Sequence, residues 1–205
     1  MRLYFVRHGQ SEANVQMVIS NRNLPHRLTE LGGQQAETVA RLLADVPLAA
    51  IYSSPIMRAA QTAQIVAASK GLPVEFAEAL REPDCGVMEG RSDEEAWAEH
   101  DRVMFDWVVH RKFSSCIEGG ESFHDLRARF VPFVDRLVAL HGDTNHNILL
   151  ITHGSLLYLM LPIVLTNVDF ASVREYPMPN AGVIIAERQA QSLVCMEWCG
   201  MPIGV

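Results

Sequence analysis

Four short segments of this chain carry residues that could do chemistry together. The first is Arg7-His8-Gly9, followed by Gln10, Ser11, Glu12 and Asn14, at the end of the apolar run Leu3 to Val6. The second is Ser53-Ser54-Pro55-Ile56-Met57-Arg58-Ala59-Ala60-Gln61-Thr62-Ala63. The third is Leu80-Arg81-Glu82, running on to Gly86 and Glu89-Gly90, and the fourth is Ile151-Thr152-His153-Gly154. A short buried strand that stops at an Arg-His pair holds a guanidinium and an imidazole at the carboxyl end of a sheet, where open α/β folds place ligands. Gly9 reads as the residue that lets the backbone turn and a ligand approach closely. Cleaving a phosphate monoester removes a large barrier and spreads charge over three equatorial oxygens with the attacking and leaving atoms in line. Such a site needs a nucleophile, donors around the equator and an acid opposite the nucleophile. His8 is the candidate nucleophile. Arg7 and Arg58 offer forked, permanently charged donors that match phosphate geometry. Arg58 follows Ser-Ser-Pro by three residues, in the first turn of a helix whose dipole also favours an anion. Glu82, Asp84 and Glu89 are the carboxylates in reach of the acid's role.

In this order and at these spacings, the four segments resemble the histidine phosphatase superfamily in its phosphoglycerate mutase-like branch. The likeness runs from Leu3 to about Ile185 and takes in Leu28-Thr29-Glu30-Leu31-Gly32, Gly119-Gly120-Glu121-Ser122 and Pro179-Asn180-Ala181-Gly182. The resemblance implies that His8 is the histidine that becomes phosphorylated and that His153 contacts the phosphoryl group and stabilises the transition state. It matches Glu82 to the family acid and Asn14 to an asparagine facing the phosphate. No cofactor and no metal are implied.

Two departures bear on the substrate. The loop Val18 to Arg27 lacks the glycine and aspartate usual before the helix at Thr29, and Arg27 stands where a proline is frequent. This loop borders the site in the family, so Asn21, Arg22 and Arg27 are candidate substrate contacts. The segment Arg91 to Cys116 has Arg102, Arg111 and Lys112 but no Arg-Arg pair such as mutases carry. His153 is followed by Gly154-Ser155 rather than aspartate, which disfavours the acid-phosphatase branch. The expected activity is therefore hydrolysis of a small phosphorylated metabolite through a phosphohistidine. The alternatives are a cofactor-dependent phosphoglycerate mutase-type isomerase and, further off, a non-catalytic phospho-ligand binding protein.

Alternating elements must position these residues. Leu3–Val6, Ala50–Ser53, Val74–Phe76 and Asn147–Thr152 read as strands, and Val183–Glu187 with Leu193–Trp198 as a terminal hairpin. Helical patterns open at the N-cap candidate Thr29, near Pro55, at Asp93 and at Ser122, with another after His153. Gly71 suits the C-terminal cap of the second, and Pro132 should bend the fourth. The alternation predicts a three-layer α/β/α sandwich with a mainly parallel sheet and one antiparallel pair at an edge.

Composition sets the bounds. At 205 residues, 49% hydrophobic and 20% charged, the chain fits one soluble domain over 1–205. The net charge of -7 and the scattered basic residues exclude a nucleic-acid surface. The apolar run Leu156 to Leu165 contains Pro162 and falls short of the roughly 20 residues of a membrane span. Cys85, Cys116, Cys195 and Cys199 show no metal-binding spacing and read as reduced thiols in a cytoplasmic protein. The expected partner is a small phosphorylated substrate, and a homodimer is compatible with the sequence.

Overall fold

The computed structural model describes residues 1–204. Its frame is a seven-stranded sheet in the order β3-β2-β4-β1-β5-β6-β7. These strands are β1 (Arg2–Arg7), β2 (Leu48–Ser53), β3 (Val74–Phe76), β4 (Asn147–Thr152), β5 (Val183–Gln189), β6 (Ser192–Trp198) and β7 (Met201–Pro202). Strands β1 to β4 pair in parallel, and β5, β6 and β7 add antiparallel strands beyond β1. The antiparallel edge is thus one strand wider than the expected hairpin. Met201–Pro202 is too short to carry a readable alternation of its own.

Side chains alternate across a strand, so β1 and β4 feed two cores at once. Leu3, Phe5, Ile148 and Leu150 join one layer with helices α4 (Glu94–Val108), α5 (Phe123–His141) and α6 (Gly154–Val164). Tyr4, Val6, Leu149 and Ile151 join the other with α2 (Glu30–Leu42) and α3 (Met57–Lys70). Complete burial of one such apolar side chain stabilises by about 1.5–3 kcal/mol. An exposed ion pair such as Arg2–Glu187 is worth about 0–1 kcal/mol, so the two apolar layers hold the sheet in place.

The helix boundaries follow local chemistry. Thr29 Oγ1 accepts the Gly32 N–H at 3.0 Å and caps α2. Gly71 ends α3 in the left-handed region at φ 63°. Pro55 lies just outside α3, whose N-cap is Ile56. Pro132 sits inside α5, which continues from Phe123 to His141 across it. A five-residue helix, α1 (Glu12–Gln16), has no signature in the hydrophobic pattern. It forms around a reciprocal cap between Ser11 and Asn14.

Gly9 serves packing. It is absent from the residues with positive φ, and a Cβ there would collide with the carbonyl of Gly32 at the start of α2. Two glycines therefore let α2 sit directly against the turn after β1, which the reading of Gly9 as a turn and ligand-access residue did not contain.

Candidate active site

The carboxyl ends of β2, β4 and β1 lie side by side. Arg7 pairs in register with Thr152 and Ser53 with Ile151. The next residues of each strand, His8, His153 and Ser54, therefore meet at one edge of the sheet. The backbone keeps them in line, with His8 N–H bonded to Thr152 O at 2.9 Å and Ser54 N–H to Ile151 O at 2.9 Å. Residues distant in the chain become neighbours because parallel strands start and stop together.

His8 is 2% exposed, and its two ring nitrogens have separate partners. Nδ1 lies 2.7 Å from the Gly9 carbonyl, so it carries the proton. Nε2 accepts from Arg58 Nε at 2.9 Å. This tautomer leaves the Nε2 lone pair as the reactive one, aimed at the guanidinium that an anion would contact. Burial, then the charges of Arg58 and Arg7, hold the imidazole pKa well below its ordinary value. His8 is thus a neutral base at neutral pH, the form a nucleophile requires.

Arg58 is 4% exposed and spans the site. Besides His8, it donates from Nη1 to the Ser20 carbonyl and from Nη2 to Asn21 Oδ1 at 3.5 Å. Burial lowers its pKa to about 10, which leaves it charged at neutral pH. Arg7 donates from Nη1 to the Met178 carbonyl at 2.6 Å, while its buried Nε has no partner. Burial lowers the Arg7 pKa, and the charge of Glu82 opposes that shift. Gly154 packs against it: a Cβ there would stand 3.2 Å from Arg7 Nε, a tight contact.

His153 is fully buried behind His8, with ring centroids 5.1 Å apart at 62°. Its Nε2 is 2.8 Å from Ser54 Oγ, which also accepts the Ile56 N–H. The other ring nitrogen, Nδ1, is buried and has no partner. Burial and Arg58 push the His153 pKa well below its ordinary value. Three buried polar atoms lack partners among the described residues, and two of them, Arg7 Nε and His153 Nδ1, belong to this site. Buried polar atoms left unpaired are costly, and the unpaired guanidinium donor of Arg7 marks a place for an anion.

Glu82 is held by the first turn of α6. Oε1 accepts Ser155 N–H at 3.1 Å and Oε2 accepts Leu156 N–H at 2.9 Å. The helix end thus orients the carboxyl group, and each oxygen keeps a lone pair for other partners. Arg129 bonds the Glu82 carbonyl and is locked to Glu121, which accepts Asp84 N–H.

A cavity of about 150 Å³ joins these groups: Arg7, His8, Asn14, Asn21, Arg58, Glu82 and Ser155 line it, together with Ala13, Val18, Ile19, Ser20, Trp97 and His100. Asn14 Oδ1 accepts from Ser11 N–H and Asn180 Nδ2, which leaves its amide NH₂ as the donor for the cavity. Neither rival carboxylate lines the space. Asp84 accepts from Arg22 and Gly86, and Glu89 from the Asn21 and Cys85 N–H groups. Arg22 also lies apart from it, its Nε 2.9 Å from Asp84 Oδ2 and its Nη2 on the Gly119 carbonyl. The Arg27 side chain is likewise outside the lining. The structure thus gathers seven of the nine expected residues, with His153 behind His8, and sets Arg22 and Arg27 outside. The expectation had no place for Ser20, Ser54, Trp97 or His100. Only the spacing of Trp97 and His100, three apart on one helix, pointed to a shared face.

The grip of Arg58 yields a prediction. Arg58→Lys keeps the charge and loses the fork that ties His8, Ser20 and Asn21 together. We expect kcat/KM for phosphate esters to fall on the order of 10²-fold and vanadate inhibition to weaken. Unchanged kinetics and inhibition would show that charge alone suffices.

Among the described residues, no cluster of three or more His, Cys, Asp or Glu side chains could hold a metal ion, and no helix is long and apolar enough to cross a membrane.

The chain is similar to known proteins along most of its length. The adenosylcobalamin/alpha-ribazole phosphatase of Salmonella typhimurium is 31% identical over 166 residues, 81% of this chain and 80% of that protein. A Proteus mirabilis protein named "Probable phosphoglycerate mutase GpmB" is 32% identical over 204 residues, covering 97% and 90%. The solved mycobacterial glucosyl-3-phosphoglycerate phosphatase in complex with VO3 superposes with a TM-score of 0.81 at 28% identity, covering 97% of this chain and 98% of that one. Residues 3–199 match the sequence profile of the histidine phosphatase superfamily, branch 1, and with the strand-end histidines in place the chain belongs to that family.

Proposed function

We propose that this phosphatase hydrolyses a small phosphate monoester by passing the phosphoryl group to Nε2 of His8. The observation that carries the reading is the meeting of a neutral, singly oriented imidazole with two arginines in one cavity whose wall includes Glu82. In the resting site the Arg58 Nε–H occupies the His8 lone pair. An entering phosphoryl oxygen takes over that donor, which frees Nε2 to attack phosphorus. Arg7, Arg58, Asn14 and His153 Nδ1 then surround the equatorial oxygens, where charge develops. Glu82 gives a proton to the departing alkoxide, and the P–O bond to it breaks as the N–P bond forms. In the second half, Glu82 takes a proton from water, water attacks phosphorus, and His8 is released neutral. Asn21 contributes at the cavity wall, and Arg22 shapes the loop through Asp84.

One sheet runs through residues 2–202, which supports reading 1–205 as a single histidine phosphatase-like domain. A cytoplasmic location, free thiols and no nucleic-acid partner accompany the proposal.

The test is phosphate release from a panel of esters in excess EDTA, where turnover is expected. The similarity to a named mutase supports a second reading, isomerisation of phosphoglycerate. Interconversion of 2- and 3-phosphoglycerate that requires 2,3-bisphosphoglycerate, with little phosphate release, would favour it over hydrolysis.

A further inference from the structure

Part of the cavity lining has a chemistry of its own. Trp97 and His100 of α4 line it beside Ala13, Val18 and Ile19. The two rings meet edge to face, 5.1 Å apart at 70°. The indole is fixed by its Nε1–H, which bonds the Met17 carbonyl at 2.7 Å. The Nδ1 atom of His100 lies 2.9 Å from Asp101 Oδ1.

Four arginines outside the cavity lining are held in ion pairs. Arg22 pairs with Asp84 at 2.9 Å, Arg81 with Glu78 at 3.6 Å, and Arg91 with Asp93 at 2.6 Å and Glu95 at 2.8 Å. Arg102 pairs with Glu99 at 2.6 Å and Asp106 at 3.1 Å. None of the four lines the cavity, and neither does any lysine; Arg7 and Arg58 are its two arginines. Both are spoken for by the transferring phosphoryl group. A carboxylate or second phosphate on the leaving group would enter against apolar and aromatic side chains with no cation to receive it, which is unfavourable. An aromatic or apolar leaving group would gain contact with Trp97.

We propose that the leaving alcohol is uncharged and carries a flat, apolar body that lies against Trp97, so that the site selects monophosphates of neutral, ring-bearing alcohols over esters with a second anionic group. This rests on the hydrolytic reading of the same site. Trp97 acts as the selecting residue.

The experiment compares three esters of poor alkoxide leaving groups, 2-phenylethyl phosphate, ethyl phosphate and 3-phosphoglycerate, with p-nitrophenyl phosphate as a control for the chemistry itself. We expect kcat/KM for 2-phenylethyl phosphate to exceed that for ethyl phosphate by about tenfold, the scale of one aromatic contact. It should exceed that for 3-phosphoglycerate by about 10²-fold, because the carboxylate has no partner. Trp97→Ala should bring the ratio of the phenylethyl to the ethyl ester near one. Trp97→Phe loses the same tie to Met17 but keeps a ring, so it should retain the preference and separates ring contact from loop anchoring. Preference for 3-phosphoglycerate, or an unchanged ratio in Trp97→Ala, would overturn the proposal while p-nitrophenyl phosphate turnover upheld hydrolysis. Failure of the wild-type protein to turn over p-nitrophenyl phosphate would overturn the hydrolytic reading and this proposal with it.

Discussion

Replacing His8 with alanine lowers phosphate-ester turnover by about 10³-fold or more, because the chain then lacks the atom that receives the phosphoryl group. The remaining arginines still bind the anion, so vanadate affinity should fall far less than kcat. The same residue sets a pH dependence. Burial and two neighbouring guanidinium groups depress its pKa below the ordinary 6.5, so the neutral form persists as pH falls through 6.5. Phosphoenzyme formation in the wild-type protein should therefore show no loss attributable to His8 near pH 6.5, only at more acidic pH. Steady-state and single-turnover rates for wild type and His8→Ala between pH 5 and 8 check both statements. Near-normal turnover in the variant would remove His8 from the reaction.

The second large effect belongs to Glu82. Glu82→Gln keeps the side chain's size but removes the group that can give and take a proton, a contribution of about 10²–10⁴-fold. The loss should depend on the leaving group. With an alkyl phosphate, phosphoenzyme formation in the variant should be severely slowed. With an aryl phosphate, whose phenolate leaves unaided, the first step should be much less affected, while hydrolysis of the phosphoenzyme stays slow. Glutamine also gives up one acceptor for the Ser155 and Leu156 N–H groups, and a purely positional defect is the competing outcome. It would slow both ester types equally, and rapid-quench measurement of the first step distinguishes the outcomes.

The strand ends were legible because an apolar run that stops at Arg7-His8, or at His153-Gly154, states both where the sheet ends and what stands there. Arg58 was legible for a related reason, since Ser54-Pro55 marks a strand-to-helix turn three residues ahead. Asn14 was placed through resemblance alone, because α1 is too short to show periodicity and depends on the cap with Ser11. The fate of Arg22 depends on Asp84 and Gly119, which only the folded chain brings to it. The choice of Glu82 over Asp84 and Glu89 depends in turn on which carboxylate meets the N-terminus of α6. The pattern of α4 shows Ala96, Val103 and Trp107 as its buried face, yet Trp97 and His100 look outward from that face into the cavity. An amphipathic pattern reports which residues leave water, and it does not report which half-buried ones meet a ligand.

Trapping the covalent intermediate tests the central claim most directly. The protein is mixed with phosphate-labelled p-nitrophenyl phosphate, quenched in alkali within one turnover, and digested. The account predicts an acid-labile, alkali-stable label on the peptide containing His8, approaching one per chain and discharged at the rate of steady-state turnover. A label on another residue, or full turnover with no label formed, would contradict it.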